Sequence, residues 1–242
     1  MTTPLPIQDL DTFVSTRDGL HRVAEHVVAK ARYVDDREIR LTAFAGGFAT
    51  PVLSWGTRVR IDADELVVDD AEGSRRVKLN TIGEAAALVG VEPGFPNELY
   101  PAATSFDADE PLQLDRGSAQ VLAAWYSFTA EVLELFASEI RAAHPSQLIL
   151  WPEHFDQAFF TEDADETRRA NYGASPGDDG HPEPYMYVGP WATPAPSGFW
   201  NATHFNGAVL PLSQIVADPQ PATTALQFLR AGRLLLAPVS AR

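Results

Sequence analysis

The sequence predicts an α+β fold, and three observations carry that expectation. Two long segments repeat apolar residues at spacings of three and four, the period of a helix with one buried face. Short runs rich in β-branched and aromatic residues follow each of them, bounded by Gly, Pro and Asp. The links between those runs are too short to hold crossover helices, so the strands pair antiparallel.

The first helix is expected within "STRDGLHRVAEHVVAKARYV", where Leu20, Val23, Ala24, Val27, Val28, Ala31 and Val34 recur at helical spacing. Ser15 and Asp18 make a capping-box-like start. "EIRLTAFAG" then alternates through Ile39, Leu41 and Ala43 as a strand, and Gly46 and Gly47 break it at a hairpin or bulge. "FATPVLSW", "TRVRID", "ELVVDD" and "SRRVKLN" are four further β-rich runs. "TIGEAAALVG" reads as a short helix capped by Thr81 and stopped by Gly90.

Residues 91–113 carry four prolines and no periodicity. A connection this long inside a compact domain is usually functional or a crossover. A second long helix is expected over 115–141, with Val121, Leu122, Trp125, Phe128, Val132, Leu135, Phe136 and Ile140 on one face and Trp125 and Phe128 buried. The runs "QLILW", "FDQAFF", "RRANYGA", "PYMYVG" and "FNGAVLPL" read as strands. A last helix covers "ATTALQFLRAGRLLL", with Leu226, Leu229 and Leu234 near one face. The chain thus divides into an N-terminal half at 1–90, a Pro-rich crossover at 91–113 and a C-terminal half at 114–242. Two helix–antiparallel strands–helix halves suggest a pseudo-twofold duplication forming one compact unit.

Composition narrows the functional classes. The 242 residues are 45% hydrophobic and 21% charged, ordinary for a globular protein. No run approaches the length of a membrane span, and "MTTPLPIQDLD" lacks the basic and apolar regions of a signal peptide, so a cytoplasmic location without membrane partners is expected. The absence of cysteine excludes disulfides, thiolate metal sites and cysteine nucleophiles. A net charge of −15, with basic residues scattered along the chain, argues against nucleic-acid partners, whose phosphates need clustered Lys and Arg.

Two motifs fail on chemistry. "GASPG" matches the G-x-S-x-G nucleophile elbow, but the residue after Ser175 is Pro176, which has no N–H to offer an oxyanion. "AGGF" is followed by a strand-like run where a phosphate cradle needs a helix N-terminus.

Residues 148–211 concentrate the remaining chemistry. They hold three of five tryptophans, three of six tyrosines and three of six histidines. As a strand, "WPEHFDQAFF" would project His154 and Asp156 from one face and Glu153 and Phe155 from the other. Trp151, Phe155, Glu183, Tyr185, Tyr187, Trp191 and Trp200 are the expected ligand-binding residues, lining an aromatic cleft of the C-terminal half. His154, Asp156 and His204 are the catalytic candidates, as an acid–base set or as metal ligands. No spacing here has the specificity of H-E-x-x-H, so no metal is expected and no cofactor is indicated.

"RLTAFAGGFATP", "VRIDADELVVDD", "PNELYP", the aromatic long helix, "LWPEHFDQAF", "YGASPGD", "PEPYMYVGPW" and "FNGAVLPL" occur in an order that resembles the uncharacterised bacterial family catalogued as domain of unknown function 5996. The similarity runs over most of the chain from about residue 37 onward. It implies no activity, ligand or catalytic residue. The expected function is binding of a small molecule in the aromatic cleft. The alternatives are a hydrolase-like metal-dependent or acid–base enzyme and an acidic protein-interaction module; oligomeric state is not encoded in any motif.

Overall fold

A computed structural model describes residues 2–236. The fold is α+β, with antiparallel sheets and helices in the order the sequence predicts. Two compact units divide the chain. The N-terminal unit comprises Ile7–Ser127 together with Ile149–Asp156, and the C-terminal unit comprises, among the described residues, 2–6, Phe128–Leu148 and 157–236.

In the N-terminal unit, helix α1 (Leu10–Val23) passes into a π-helical segment (Ala24–Ala29) and then into α2 (Lys30–Asp36). The start lies earlier than the capping box at Ser15 suggests. Asp9 is the cap: it sits in extended backbone, and its carboxylate accepts the Thr12 N–H at 2.9 Å. Ser15 is inside the helix. Arg37, in the left-handed conformation, ends the run. Leu20, Val23, Ala24, Val27, Val28 and Ala31 are buried as their spacing requires, whereas Val34 is exposed.

Strands β1 (Thr42–Phe44), β2 (Gly47–Ala49), β3 (Arg58–Asp62), β4 (Glu65–Asp70) and β5 (Gly73–Lys78) form a sequential antiparallel meander. Gly46 makes the expected hairpin at φ 87°, and a Cβ there would lie 2.5 Å from Asp62 Oδ1. Helix α3 (Ile82–Val89) begins on Thr81, whose hydroxyl accepts the Glu84 N–H, and stops at Gly90 with φ 83°. Residues 91–113 contain no helix or strand.

Helix α4 (Arg116–Glu139) opens on Asp115, which accepts the Ser118 N–H at 2.7 Å, and runs through both units. Trp125 and Phe128 are fully buried. Strand β6 (Ile149–Trp151) belongs to the N-terminal unit, where Leu41 and Leu150 exchange backbone hydrogen bonds at 2.9 and 3.0 Å.

In the C-terminal unit, strands β7 (Asp156–Phe160, from Gln157), β8 (Ala170–Ser175), β9 (Tyr185–Pro190) and β10 (Ala208–Pro211) pair antiparallel in sequence order. Phe136 of α4 packs on Phe159 and Tyr172, with ring centroids 6.3 and 5.0 Å away. "SPG" is a turn, closed by the Gly177 N–H donating to Ser175 Oγ at 3.1 Å. Helices α5 (Leu212–Ala217) and α6 (Pro221–Leu235) finish the described chain. Leu226 and Leu229 are buried, but Leu234 is 74% exposed. The five residues from Leu229 to Leu234 turn the helix by about 140°, carrying Leu234 off the buried face.

Replacing Trp125 by Ala should cost about 3–5 kcal/mol, as truncation of a fully buried aromatic leaves a cavity. Urea denaturation measures it, and a loss below about 1 kcal/mol would contradict a core role.

Candidate functional site

"LILWPEHFDQAFF" is not one strand. β6 ends at Trp151, the chain turns through Pro152–Phe155, and β7 starts at Asp156. The expected shared face of His154 and Asp156 is therefore corrected. Pro152 has no N–H to offer a ladder, and Phe155 adopts φ 53°, a left-handed conformation costly for a side chain of this size. Packing compensates. The Phe155 ring is buried, stacked parallel to His21 at 4.9 Å and edge-on to Phe48 and Tyr126 at 5.4 and 5.6 Å. Tyr126 Oη donates to the Phe155 carbonyl at 2.5 Å. This twist drives Glu153 inward, leaving it 7% exposed, while His154 faces out against the Tyr100 ring at 5.5 Å. Asp156 is also buried, and Trp151 is half-buried.

The first helical run supplies the other polar groups. Arg17, His21 and Glu25 recur every four residues, and Glu25 with His26 falls in the π segment, where backbone bonds reach five residues back. Both are buried, Glu25 completely. The Glu25 carboxylate accepts the N–H groups of Ala103 and Thr104 at 2.8 Å and the Thr104 hydroxyl at 2.5 Å. His26 Nε2 lies 3.1 Å from the Thr104 carbonyl and 3.0 Å from its hydroxyl oxygen. A carbonyl can only accept, so Nε2 carries the proton and Nδ1 presents a lone pair. That Nδ1 is buried and has no hydrogen-bond partner, and the ring rests on Phe106 at 4.2 Å. His21 Nε2 donates to the Pro152 carbonyl at 2.8 Å, tying helix to turn.

Burial sets the protonation chemistry. Glu25 is raised above the ordinary carboxylate range by burial, which outweighs its bonds from Thr104 and Ala103. Glu153 is also raised, chiefly by burial and further by the charges of Asp156 and Glu25; its own backbone N–H and His154 oppose the shift. Glu153 Oε2 has no hydrogen-bond partner. Burial lowers His26, and it pushes His21 down to about 4 against the bond to Pro152, with Arg17, His26 and His154 adding to the drop. At neutral pH both helix imidazoles are uncharged.

The remaining sequence-predicted residues lie in the C-terminal unit. The Glu183 carboxylate accepts the backbone N–H and the hydroxyl of Ser213, each at 3.1 Å, in the first turn of α5. Tyr185 is buried and donates to Asp178 at 2.6 Å. Tyr187 is half-buried, 6.3 Å from Tyr185 and 6.1 Å from Phe205, and it lies flat on Gly173, where a Cβ would come within 2.5 Å of the ring. Trp191 is 53% exposed and donates to Asn171 at 3.0 Å. Trp200 packs edge-on to Phe199 at 4.9 Å. His204 is exposed beside Gly180. Among the described residues no group of three or more His, Asp or Glu could hold a metal ion, so His154, Asp156 and His204 do not form such a set.

His21, Glu25, His26 and Glu153 escaped the sequence-level candidate set. One signal was readable: "VAEHVVA" places an acid and an imidazole inside an apolar helical stretch, where either is expensive to bury. In comparisons with known proteins, the chain matches no family model, no curated protein and no solved structure.

His21 gives a signed prediction. Its folded value lies below the ordinary 6.5, so the unfolded chain binds more protons between pH 6.5 and 4. The stability it contributes is present above about pH 6.5 and is lost as the pH falls toward 4, up to about 3 kcal/mol. Urea denaturation across this window should show a flatter profile for His21→Gln, and an NMR titration placing the His21 ring near 6.5 would contradict the assignment.

Proposed function

We propose that this chain is a small-molecule-binding protein whose site is the carboxylate–imidazole cluster of the N-terminal unit, formed by Glu25, His26 and Glu153 with His154 at its edge. One observation carries the proposal. Glu153 Oε2 and His26 Nδ1 are buried polar atoms with no partner in the chain, and both side chains neighbour Glu25 electrostatically or directly. An unsatisfied buried polar group costs about 1–3 kcal/mol, and a ligand that completes its hydrogen bonds recovers that cost. The π segment adds support, since π-bulges occur frequently at functional sites. So does the long connection 91–113, whose backbone closes over Glu25.

The aromatic residues of the C-terminal half are a weaker location for the ligand. Glu183, Tyr185 and Trp191 already spend their polar groups on Ser213, Asp178 and Asn171. Acid–base catalysis at the N-terminal cluster is the second reading. It is favoured by a carboxyl biased toward its protonated form, Glu153, in the same cluster as an unprotonated imidazole nitrogen on His26. Membership of the domain of unknown function 5996 family, which rests on the ordered motifs, is part of this proposal. A cytoplasmic location without nucleic-acid partners accords with the lack of cysteine and the net charge of −15. No helix among the described residues is long and apolar enough to cross a membrane.

Ligand-observed NMR with a fragment library is the test. Compounds that bind the intact chain should lose binding in Glu153→Gln. Binding unaffected by that substitution, or no binding at all, refutes the proposal. Glu153→Leu should change stability by less than about 1 kcal/mol or raise it, because it removes an unpartnered acid. A purely structural carboxylate would show a loss of about 3 kcal/mol or more.

A further inference from the structure

In the C-terminal unit we propose a further binding site, for a neutral saccharide, on the sheet face where Tyr187 and Trp191 flank Gly189. Strand pairing fixes which residues share that face. Phe160 of β7, Asn171 of β8 and Gly189 of β9 form one row across the sheet. Ala158, Gly173 and Tyr187 form the row beside it, two residues along each strand and so on the same side. The alternate residues point the other way: Phe159 and Tyr172 meet Phe136 of α4, and Val188 meets Gly232 of α6. Trp191, just past β9, joins the first row. Its ring lies 5.8 Å from Phe160, and its indole N–H donates to Asn171 Oδ1 at 3.0 Å.

Gly189 is the residue that points to a guest. Two neighbouring glycines are required by the chain itself. Gly173 lies under the Tyr187 ring, and a Cβ on Gly207 would run into the Phe205 ring and the Val188 carbonyl. Gly189 has no such reason. Its φ is not positive, the pairing on either side of it is regular, and a Cβ there would meet nothing nearer than Asn171 at 3.9 Å, an ordinary contact. Glycine weakens a strand, and one that neither a bulge nor packing demands marks a place where a ligand or another backbone comes close. The extended chain sets Tyr187 and Trp191 about 7 Å to either side of it, room for one ring.

The surroundings select the chemistry of that ring. Trp191 is 53% exposed and Phe205, edge-on to Tyr187 at 6.1 Å, is 38% exposed. Because Trp191 spends its N–H on Asn171, it offers a guest its face. With Oδ1 held by the indole, the exposed Asn171 amide presents its Nδ2 hydrogens. The two rows carry no charged side chain in a chain that is 21% charged. An ion laid there would lose water without gaining a counter-charge. A pyranose is neutral, with faces of C–H bonds and a rim of hydroxyls. Its face packs on the aromatic rings, and its rim accepts from Asn171. A flat hydrocarbon would cover the amide hydrogens without accepting from them.

Saturation-transfer NMR of the full chain with the methyl glycosides of glucose, galactose and mannose tests the proposal. Sorbitol supplies the hydroxyls without a ring face, cyclohexanol a ring without the rim, and glucuronate a ring with a charge. At least one methyl glycoside should bind about tenfold more tightly than every control, with saturation strongest on its ring C–H protons. Trp191→Ala should weaken that binding about tenfold. Gly189→Val should do the same while keeping the fold, since its Cβ has room and valine favours strands. Gly189→Ala replaces it if circular dichroism shows the valine variant unfolded. Failure of every glycoside to exceed the controls overturns the proposal. Binding that survives both Trp191→Ala and the Gly189 variant overturns the location. Glucuronate or cyclohexanol binding as tightly as the glycosides overturns the neutral-saccharide class.

Discussion

The N-terminal unit depends on one buried carboxylate and the three donors that reach it. Residues 91–113 have no helix and no ladder to order them, so their backbone groups need other partners. Glu25 supplies them at Ala103 and Thr104, and the His26 carbonyl supplies another by accepting the Gly94 N–H at 3.0 Å. Further bonds finish the connection: Gly83 N–H to the Ala108 carbonyl at 2.8 Å, and Leu112 N–H to the Asn80 carbonyl at 2.7 Å. A segment that composition marks only as aperiodic is held in one path by a carboxyl side chain on a helix. Burial raises that carboxyl, and the bonds from Ala103 and Thr104 oppose the rise.

A second constraint follows from Phe155. Its left-handed backbone is strained for a phenylalanine, and the strain persists because the ring fills the space between His21, Phe48 and Tyr126. Backbone geometry then dictates what the neighbouring residues do. In a regular strand Glu153 and Phe155 would share one face, with His154 and Asp156 on the other. In the turn Glu153 and Phe155 are buried and His154 alone is exposed, and Asp156, which opens β7, is buried as well. The hydrophobic anchor places the polar groups.

This explains which parts of the molecule were legible in the sequence. Helix α4 was, because its period is carried by many apolar residues and tertiary packing only reinforces it. The Thr81 cap, the Gly90 stop and the Gly46 hairpin were legible because each depends on local backbone chemistry. The cluster was legible only in part. "VAEHVVA" betrays buried polarity, but the partners of Glu25 and His26 lie 78 and 79 residues away at Ala103 and Thr104. The turn at Pro152–Phe155 was read as strand because aromatic and aliphatic residues surround it and no glycine marks the positive φ. Glu183 and Trp191 have the right chemistry for a site, yet nearby backbone and amide groups claim them.

The chain's treatment of another buried acid gives the Glu153 observation its weight. Asp163, in the C-terminal unit, is almost as inaccessible as Glu153. Burial is the largest influence on it and pushes its carboxyl up, but Arg233 binds both oxygens, at 2.8 and 2.6 Å, and brings it below the ordinary range. A forked guanidinium on a carboxylate is the geometry that satisfies a buried charge most fully. Glu153 receives no such treatment: its Oε2 has no hydrogen-bond partner, its neighbours include two further carboxylates, and its pKa moves the other way. The same sequence therefore holds one buried acid below the ordinary carboxylate range with a forked guanidinium, and burial pushes the other above it. The strained turn at Phe155 thus holds an acid out of water without the forked cation that Asp163 receives.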